Sequence, residues 1–441
     1  MSGPVIAAAV PGTQFLAGLT NYESSGVLTG PTLWRVRALA DALGSPQDEL
    51  AVIHVTGTNG KGSTATLAAE LLTAAGRRVG LFTSPHLRVL NERIVVDGQL
   101  VGDDVLERAL GAVEEAASRV RVQPTWFEAI TLAALLVFRD AGVDAAVVEV
   151  GMLGSWDATN IVHSRVAVVT NVGLDHVQEA GGSLVAIARE KAGIVKPGAT
   201  LVLGETDEVL ASVFLSGPAR RILCRGRELR ATNLRETTGG FVVDLETAHS
   251  RHRGLRIGLR GRHQVANVLL ALAAVEAFLD APLPARVVRK TLSQVRLRGR
   301  GEVIATRPQV VLDGAHNPAA ARALRSVVDG TPFARRVLMV GVLAGRDPQE
   351  FLRALGADTY DVVICTQADT PRSLPSAELA AAMVSDGTTV VTEPEPGRAG
   401  RIAVQAAGAG GQIVVTGSFY VLEPARRAII DALRQRSPLT G

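Results

Sequence analysis

A glycine-rich heptapeptide, GTNGKGS at 57–63, connects an apolar run at 51–55 to a helical stretch at 64–75. A strand, a glycine-rich turn and a helix in this order can wrap a phosphate, because backbone N–H groups and the helix N-terminus face the anion. Lys61 adds a point charge, and Ser63 or Thr64 offers a hydroxyl to Mg²⁺. A lone glycine-rich stretch is more often an ordinary turn. The lysine and the hydroxyls after a strand favour phosphate binding.

The spacing of this loop departs from the common pattern G-x-x-x-x-G-K-[ST]. Val55 stands where that pattern places its first glycine, and Gly62 separates Lys61 from the hydroxyl. The loop therefore predicts a phosphate site, but its spacing does not match the nucleotide-binding proteins that share the common pattern.

Composition narrows the class of protein. A chain of 441 residues fits two or three domains, and 47% hydrophobic residues with a mean hydropathy of +0.23 fit a soluble α/β protein. The apolar runs are short or interrupted by charges, so we expect no transmembrane span. We expect a cytoplasmic protein, because no basic segment precedes an apolar N-terminal core and only two cysteines occur.

The charge pattern gives little support for nucleic-acid binding. The net charge is +3, and the basic residues form no helical stripe interleaved with aromatic residues. A solvated surface is the simplest interpretation, and an anionic small substrate is the next. Arginine supplies 42 of the 46 basic residues, yet the phosphate loop and the segment Glu190-Lys191 contain lysine. Lysine provides a compact ammonium or a neutral amine, which arginine cannot.

Apolar β-rich runs alternate with helical runs, which predicts a mostly parallel sheet covered by helices. An Asp-Gly turn within 94–101 predicts a hairpin. The stretch 205–260 predicts a β-rich extension, and 264–279 a long helix. The predicted strands are 51–56, 79–83, 145–150, 166–171 and 200–204, and the predicted helices are 63–75, 104–119, 127–140 and 183–191.

The Arg/Gly-rich segment 296–302 is the predicted boundary between a first domain at 1–296, which contains the phosphate loop, and a smaller Rossmann-like, doubly wound α/β domain at 297–441. In the second domain the alternation resumes. The predicted strands are 310–312, 337–342, 361–365, 389–391 and 412–416, and the predicted helices are 348–355, 376–384, 398–407 and 422–434.

Polar residues that follow apolar strands are candidate ligands, because an open parallel sheet binds ligands beyond the carboxyl ends of its strands. Glu149 ends an apolar run, and a buried carboxylate needs a cation or hydrogen-bond donors. Next to a phosphate loop Mg²⁺ is its natural partner, and a structural Glu that caps a helix is the alternative. His176, Ser84 and His86 also follow predicted strands, and a lone histidine there is usually structural.

Three further residues have ordinary structural explanations that stay open. Lys191 could be a cation near a helix C-terminus that is followed by a glycine stop. Asp313 directly follows a predicted strand and could bind a ribose or position a second substrate. Arg300 could reach a phosphate from the segment between the domains. From the residues alone, a functional role and a purely structural role are equally supported for Asp313 and Arg300.

Together these segments resemble the folylpolyglutamate synthase/dihydrofolate synthase branch of the Mur ligase superfamily, in the family's order and over nearly the whole chain. The matching segments are 21–23, 43–47, 54–63, 83–87, 91–94, 127–128, 149–151, 157–160, 174–176, 190–194, 263–264 with Asn267, Arg300, 313–318 and 416–420.

The resemblance implies an enzyme that uses ATP and Mg²⁺ to convert a carboxylate into an acyl phosphate, which an amino-acid amine attacks. It implies that Lys61, His176 and a carbamylated Lys191 are catalytic. The nucleotide would bind Asn59, Gly60, Lys61, Gly62, Ser63, Thr64, Asn267, Arg300 and Asp313. The metal ligands would be Ser63, Ser84, Glu149, His176 and Lys191, and the substrate contacts Thr125, Phe127, Glu128, Trp156, Asp157, Ala158 and His316.

Two segments depart from the family's pattern. The run Gly-Gly-Arg-Leu is replaced by Leu153-Gly154-Ser155-Trp156, and Asp-Lys-Asp is replaced by Gly345-Arg346-Asp347. The leading hypothesis is a monomeric ligase that adds L-glutamate to a folate or dihydropteroate, with small molecules as its partners. The alternatives are a relative that joins another acid and amine, as in secondary metabolism, and a nucleotide-binding protein that has lost catalysis.

Overall fold

The computed structural model describes residues 11–25, 32–174, 179–330, 332–383 and 387–436. They form two compact units. The first contains the described part of Met1–Arg235 with Val242–Ile257 and Val265–Val295, and the second contains Glu236–Phe241, Gly258–Gln264 and the described part of Arg296–Gly441.

The first unit is built on an eight-stranded sheet, in the order β4-β3-β2-β5-β1-β6-β7-β8. Its central strands run parallel, and β3 and β4 join antiparallel through the predicted Asp97-Gly98 turn, whose residues have φ of 52° and 74°. The strands are β1 Val52–Thr56, β2 Val79–Phe82, β3 Ile94–Val96, β4 Gln99–Leu100, β5 Ala145–Glu149, β6 Ser164–Val169, β7 Thr200–Leu203 and β8 Arg221–Cys224.

Helices α1 to α10 come from this part of the chain. A core cluster packs α5 and α6 against β2 and β5, and another packs α7 and α8 against β6 and β7. The helices are α1 Pro11–Ala17, α2 Tyr22–Ser25, α3 Trp34–Ala42, α4 Lys61–Ala74, α5 Asp103–Val120, α6 Trp126–Asp140, α7 Leu184–Ala192, α8 Glu208–Leu215, α9 Arg262–Leu279 and α10 Ala285–Gln294.

The predicted β-rich extension contains a three-stranded sheet in the order β11-β10-β9. Its strands are β9 Arg230–Thr237, β10 Gly240–Glu246 and β11 Arg251–Ile257. Alternating burial along β10 and β11 shows that one face of this sheet is covered.

The second unit is built on a six-stranded sheet in the order β12-β13-β17-β14-β15-β16, in which only β12 pairs antiparallel among the described strands. Its strands are β12 Glu302–Thr306, β13 Gln309–Leu312, β14 Arg336–Val340, β15 Val362–Cys365, β16 Thr389–Thr392 and β17 Gln412–Thr416. Its helices are α11 Pro318–Val328, α12 Pro348–Leu355, α13 Ser376–Ala381, α14 Pro396–Ala407 and α15 Phe419–Arg436.

The predicted α/β class with a large, mostly parallel sheet and a separate C-terminal α/β unit is confirmed. Sequence patterns missed α1, α2, α3, α8, α10, α11 and β12, and α8 lies in the stretch 205–260 that was predicted to be β-rich. Helix α11 follows a polar turn that ends in Asn317-Pro318, where Asn317 accepts a hydrogen bond from the N–H of Ala320 and so caps the helix. Strand β12 follows directly on a segment interpreted as a linker because of its arginines and glycines.

Candidate active site

The loop at 57–60 requires glycine at two positions. Gly57 and Gly60 have φ of 150° and 84°, a region that residues with a side chain rarely adopt. A Cβ atom at Gly60 would lie 2.4 Å from Oδ1 of Asn267, and one at Gly57 would lie 1.8 Å from Oγ1 of Thr170. The backbone of the loop therefore lies against α9 and the end of β6, where no side chain fits.

Two residues after β6 hold the loop in place. The carbonyl oxygen of Asn59 accepts hydrogen bonds from Thr170 Oγ1 at 2.7 Å and from Asn171 Nδ2 at 2.9 Å. The N–H of Asn59 donates to Asn171 Oδ1 at 3.0 Å. Sequence analysis missed both residues, although each is a polar residue that follows an apolar strand.

Lys61 begins α4 and bends back over the loop. Its Nζ donates to the carbonyl oxygens of Gly57 at 3.0 Å and Thr58 at 3.3 Å. These bonds use two of the three N–H donors of the ammonium and fix its charge at the N-terminus of α4. The arrangement fits a bound phosphate.

The first turn of α4 also supplies two buried hydroxyls. Ser63 is 3% exposed and Thr64 is fully buried. Among the described residues Thr64 Oγ1 has no hydrogen-bond partner. An unsatisfied buried hydroxyl costs about 1–3 kcal/mol. Its position beside the loop therefore fits a ligand such as a phosphate or a metal ion.

The Glu149 carboxylate lies at the start of α4. It ends β5, is 2% exposed, and accepts a hydrogen bond from the N–H of Ser84 at 2.9 Å. A Cβ atom on Gly62 would lie 3.2 and 3.3 Å from its two oxygens. Mg²⁺ is coordinated by oxygen ligands such as carboxylates and hydroxyls. Glu149, Ser63 and Thr64 provide such oxygens and therefore fit that ion.

No cluster of three or more His, Cys, Asp or Glu side chains that could hold a metal occurs among the residues that the structure describes. A metal at this place would therefore depend on hydroxyls or a modified lysine as well as on Glu149. His176 lies outside the described residues, so its predicted role as a ligand stays a prediction.

Lys191 is 3% exposed in the last turn of α7 and lies beside the segment that departs from the family's pattern. The Lys191 Cα would be 3.1 Å from a Cβ atom on Gly154. The N–H and Oγ of Ser155 both donate to the carbonyl oxygen of Glu190, at 2.9 and 3.1 Å. Ser155 therefore caps the end of α7.

The predicted substrate residues of α6 include two with roles in the fold. Thr125 and Glu128 form a capping box, and Glu128 also pairs with Arg35 at 3.2 Å. The Phe127 ring lies 5.9 Å from the Phe82 ring, and a Cβ atom on Gly151 would be 2.4 Å from Phe127 Cζ. Phe127 therefore contacts the backbone directly after β5.

Trp156 and Asp157 have different surroundings. Trp156 is half-buried and packs against a small cluster of Met152, Leu153 and Ile187. Asp157 is 4% exposed, and burial raises the pKa of its carboxyl group despite hydrogen bonds from the backbone and from Thr159. Ala158, also buried, begins the short 3₁₀ helix that Asp157 caps.

A buried arginine that sequence analysis did not single out organises the neighbouring loop. Arg93 is 1% exposed and donates to both carboxylate oxygens of Glu23, at 2.8 and 2.6 Å. Its Nε donates to Nδ1 of His86 at 2.9 Å, and its guanidinium lies 4.6 Å from the centre of the Trp126 ring. Such a contact depends on tertiary packing and has no local sequence signal.

In the second unit Asp313 follows β13. Its oxygens accept hydrogen bonds from the N–H groups of Gly301 at 2.7 Å and Ala315 at 2.8 Å. Burial raises the pKa of Asp313, an effect that the charges of Arg300 and His263 oppose. The Arg300 guanidinium stacks 4.3 Å from the centre of the Phe419 ring.

His316 and the altered segment 345–347 lie together. His316 Nδ1 is 2.9 Å from the carbonyl oxygen of Gly314, and Arg346 donates to the carbonyl oxygen of His316. Asp347 caps α12. The arginine that stands in place of the family's lysine therefore supports the loop that follows β13.

Comparison with known proteins defines the class. The sequence matches the family described as "Mur ligase middle domain" over residues 55–275 and the one described as "Mur ligase, glutamate ligase domain" over residues 299–419. The chain is therefore a ligase of the Mur type.

Dihydrofolate synthase/folylpolyglutamate synthase of Mycobacterium tuberculosis is 36% identical over 377 residues, which are 80% of this chain and 77% of that protein. This chain belongs to the dihydrofolate synthase/folylpolyglutamate synthase family, as its motifs predicted.

Solved structures agree. Escherichia coli FolC in complex with DHPP and ADP matches with a TM-score of 0.85 and 30% identity, covering 98% of this chain and all of that one. The bifunctional Yersinia pestis enzyme complexed with AMPPNP and a Mn ion matches with a TM-score of 0.82 and 29% identity over the same shares. Among the described helices, none is long and apolar enough to cross a membrane.

Proposed function

We propose that this chain joins the amine of L-glutamate to the carboxylate of a folate or dihydropteroate, using ATP and releasing ADP and phosphate. The observation that carries the proposal is the position of the Glu149 carboxylate at Gly62, within the loop that holds Lys61. A phosphate site and a site for a hard cation are combined there, which phosphoryl transfer to a carboxylate requires.

The reaction has two steps. An oxygen of the acid's carboxylate attacks the γ-phosphorus, the bond to ADP breaks, and an acyl phosphate forms. The glutamate amine then attacks the acyl carbon, loses a proton, and displaces phosphate. Both reactants of the first step are anions, so Lys61 and the loop N–H groups stabilise the charge on the phosphate oxygens. A bound Mg²⁺ neutralises further phosphate charge.

We assign residues 59–64 to the phosphates, and Asn267, Arg300 and Asp313 to the rest of the nucleotide. The acid would contact the segments with Thr125, Phe127, Glu128, Trp156, Asp157, Ala158 and His316. Mg²⁺ would be held by Ser63, Ser84, Glu149, His176 and a carbamylated Lys191. The donor chemistry supports this last assignment, because a carbamate is an anionic oxygen donor and Lys191 is buried.

The rest of the proposal concerns organisation. We propose a nucleotide-binding domain at 1–296 and a ligase domain at 297–441 that act as a cytoplasmic monomer on small molecules and do not bind nucleic acid.

The test is turnover by the purified chain with ATP, Mg²⁺ and paired acids and amines, following ADP and product mass. ADP release with L-glutamate and dihydropteroate or a reduced folate supports the proposal. Release only with another acid identifies a different substrate, which the altered residues Ser155 and Trp156 would then explain. Absence of turnover with every pair indicates a protein that binds nucleotide without catalysis.

A lysine pair tests the carbamate. Lys191→Ala is expected to lose turnover and to recover part of it with a small added carboxylate, whereas Lys290→Ala, at an exposed lysine, is the matched control. Full turnover by Lys191→Ala would contradict the assignment.

A further inference from the structure

Strand β1 carries two buried polar side chains. His54 and Thr56 are fully buried and, being two residues apart on a strand, face the same side of the sheet. Because β1 lies between β5 and β6, apolar residues are expected at both positions. A buried polar group is costly unless it is hydrogen-bonded.

Both side chains bond to the same segment, residues 152–159. Thr56 Oγ1 donates to the carbonyl oxygen of Leu153 at 2.6 Å. His54 Nε2 lies 2.9 Å from Thr159 Oγ1. The strand that continues into the phosphate loop is thus tied at two points to the segment that contains Trp156 and Asp157.

The direction of the hydrogen bonds follows from Asp157. Thr159 Oγ1 and the N–H of Thr159 both bond to Asp157 Oδ1, and the N–H of Met152 donates to Oδ2 at 2.9 Å. Both Asp157 oxygens already accept N–H groups, and the Thr159 hydroxyl donates its proton to Oδ1. Its oxygen then accepts from His54 Nε2–H.

This assignment makes His54 a neutral imidazole with its proton on Nε2. Nδ1 has no hydrogen-bond partner among the described residues, as expected for a buried ring that bonds through one nitrogen. Burial, with a smaller effect of Lys196, lowers the pKa of His54 to about 3, so the neutral form persists near pH 7.

A second set of bonds holds the segment through Asn160, the residue that follows it. Lys196 Nζ donates to Asn160 Oδ1 at 2.8 Å, and Asn160 Nδ2 donates to the carbonyl oxygen of Ser155 at 2.9 Å. Bonds from His54 and Thr56, and from Lys196 through Asn160, restrain the segment relative to β1.

We propose that His54 and Thr159 are positioning residues of the ligase, which hold Trp156, Asp157 and Ala158 in register with the phosphate loop. The inference rests on the proposed function, in which these three residues contact the acid and the loop binds ATP. Small displacements between a carboxylate and the group that it attacks lower rates strongly. The two bonds link the parts of the chain that set that separation.

Two variants at one position test the proposal. Thr159→Val keeps the shape and removes the hydroxyl, whereas Thr159→Ser keeps the hydroxyl. Thr159→Val loses the bonds of the hydroxyl to both His54 and Asp157, so we expect it to raise KM for dihydropteroate by about tenfold or more, with KM for ATP changed less than about twofold. Thr159→Ser is expected to behave like the wild type. Equal changes in both KM values, or a lower Tm with both KM values unchanged, would overturn the proposal.

Variants of His54 provide the same test should Thr159→Val fail to fold. His54→Gln places an amide donor near the Nε2 position and is expected to retain low KM for dihydropteroate, whereas His54→Leu is expected to raise it. Equal KM values in the two variants would overturn the role of the bond.

The tautomer gives a readout independent of turnover. ¹⁵N NMR of the histidines at pH 7, with His54 assigned from His54→Gln, is expected to show Nε2–H, and an Nδ1–H tautomer would overturn the hydrogen-bond direction. A wild type that binds ADP but turns over neither dihydropteroate nor a reduced folate contradicts the proposed function and the positioning role with it. A wild type that turns over while the Val and Ser variants behave alike overturns the positioning role alone.

Discussion

The loops that follow β1 and β13 both leave the end of a buried parallel strand, yet they are built differently. The loop at 57–60 is shaped by the main chain, with glycines at positive φ and a lysine that bonds to the loop's own carbonyls. The loop at 313–317 is organised by a carboxylate, Asp313, that collects N–H groups from Gly301 and Ala315. A loop built from the main chain can be recognised in consecutive residues, whereas one built from side chains depends on distant partners.

The largest effect is expected from breaking the first loop. Gly60→Ala combines an unfavourable φ with a clash against Asn267, so we expect the free energy of unfolding to fall by about 3 kcal/mol and ATP turnover to be lost. Chemical denaturation and ADP release measure the two effects.

Gly76→Ala is the matched control, because Gly76 has a similar φ of 82° and nothing lies within 4 Å of an added Cβ. This variant is expected to lower the free energy of unfolding by about 1 kcal/mol and to leave turnover unchanged. Equal losses in the two variants would show that the clash has no part in shaping the loop.

The second loop should be broken by loss of the carboxylate. In Asp313→Asn an NH₂ group replaces one of the two oxygens that accept backbone N–H groups. We therefore expect the free energy of unfolding, measured by chemical denaturation, to fall by about 2–3 kcal/mol. Asp347→Asn is the control, because Asp347 also accepts two backbone N–H groups but is exposed, and the variant should change stability by less than about 0.5 kcal/mol. A similarly small change in Asp313→Asn would mean that the carboxylate does not organise its loop.

The strands before the two loops should differ in their response to pH, because β1 contains His54 whereas β13 is Gln-Val-Val-Leu. The folded pKa of His54 is about 3, below the unfolded value of 6.5, so between these pH values the unfolded chain binds a proton that the folded chain does not. The free energy of unfolding therefore falls as the pH decreases from 6.5, by about 2 kcal/mol at pH 5 for this group.

Denaturation of the wild type and His54→Gln at pH 7 and pH 5 measures this contribution. Between pH 7 and pH 5 the free energy of unfolding should fall by about 2 kcal/mol less in the variant than in the wild type. Burial also lowers the pKa of His86, His252 and His263, but these groups are common to both proteins and cancel in the difference. An identical loss in the two proteins would contradict the assignment.

The smallest effect is expected from Phe419→Leu, which removes the ring on which Arg300 stacks. We expect the free energy of unfolding to fall by about 1 kcal/mol. Phe419→Tyr keeps the ring face, so its stability should be closer to that of the wild type. If Arg300 contacts ATP, Phe419→Leu also raises KM for ATP. Equal stability of the Leu and Tyr variants would show that the stacking contributes nothing.

Much of the fold could be predicted because hydrophobic periodicity is local. The strands at 145–150 and 412–416 and the helix at 348–355 were located within one residue of their observed bounds. Helix α10 was missed because a polar segment with prolines at its start, Pro282 and Pro284, resembles a loop until it packs on β11. Packing of this kind is not visible in a local pattern.

The candidate site divides in the same way. Residues 57–64 could be identified from spacing alone, and Glu149 and Ser84 from their places after strands. The partners that fix them could not: Thr170 and Asn171 hold the loop, and Arg93 holds the segment after Ser84. For Glu128 the structure adds a capping box and an ion pair that its predicted substrate role did not include.

The sequence by itself determined the alternation of strands and helices, the phosphate loop and the family, because each depends on consecutive residues or on ordered motifs. Only the tertiary structure decided that Glu149 lies at Gly62, that Asp157 bonds to Thr159 and Met152, and that His54 Nε2 bonds to Thr159. The physical reason is that main-chain conformation follows from local residue types, whereas the protonation and direction of a buried polar group depend on partners brought together by folding.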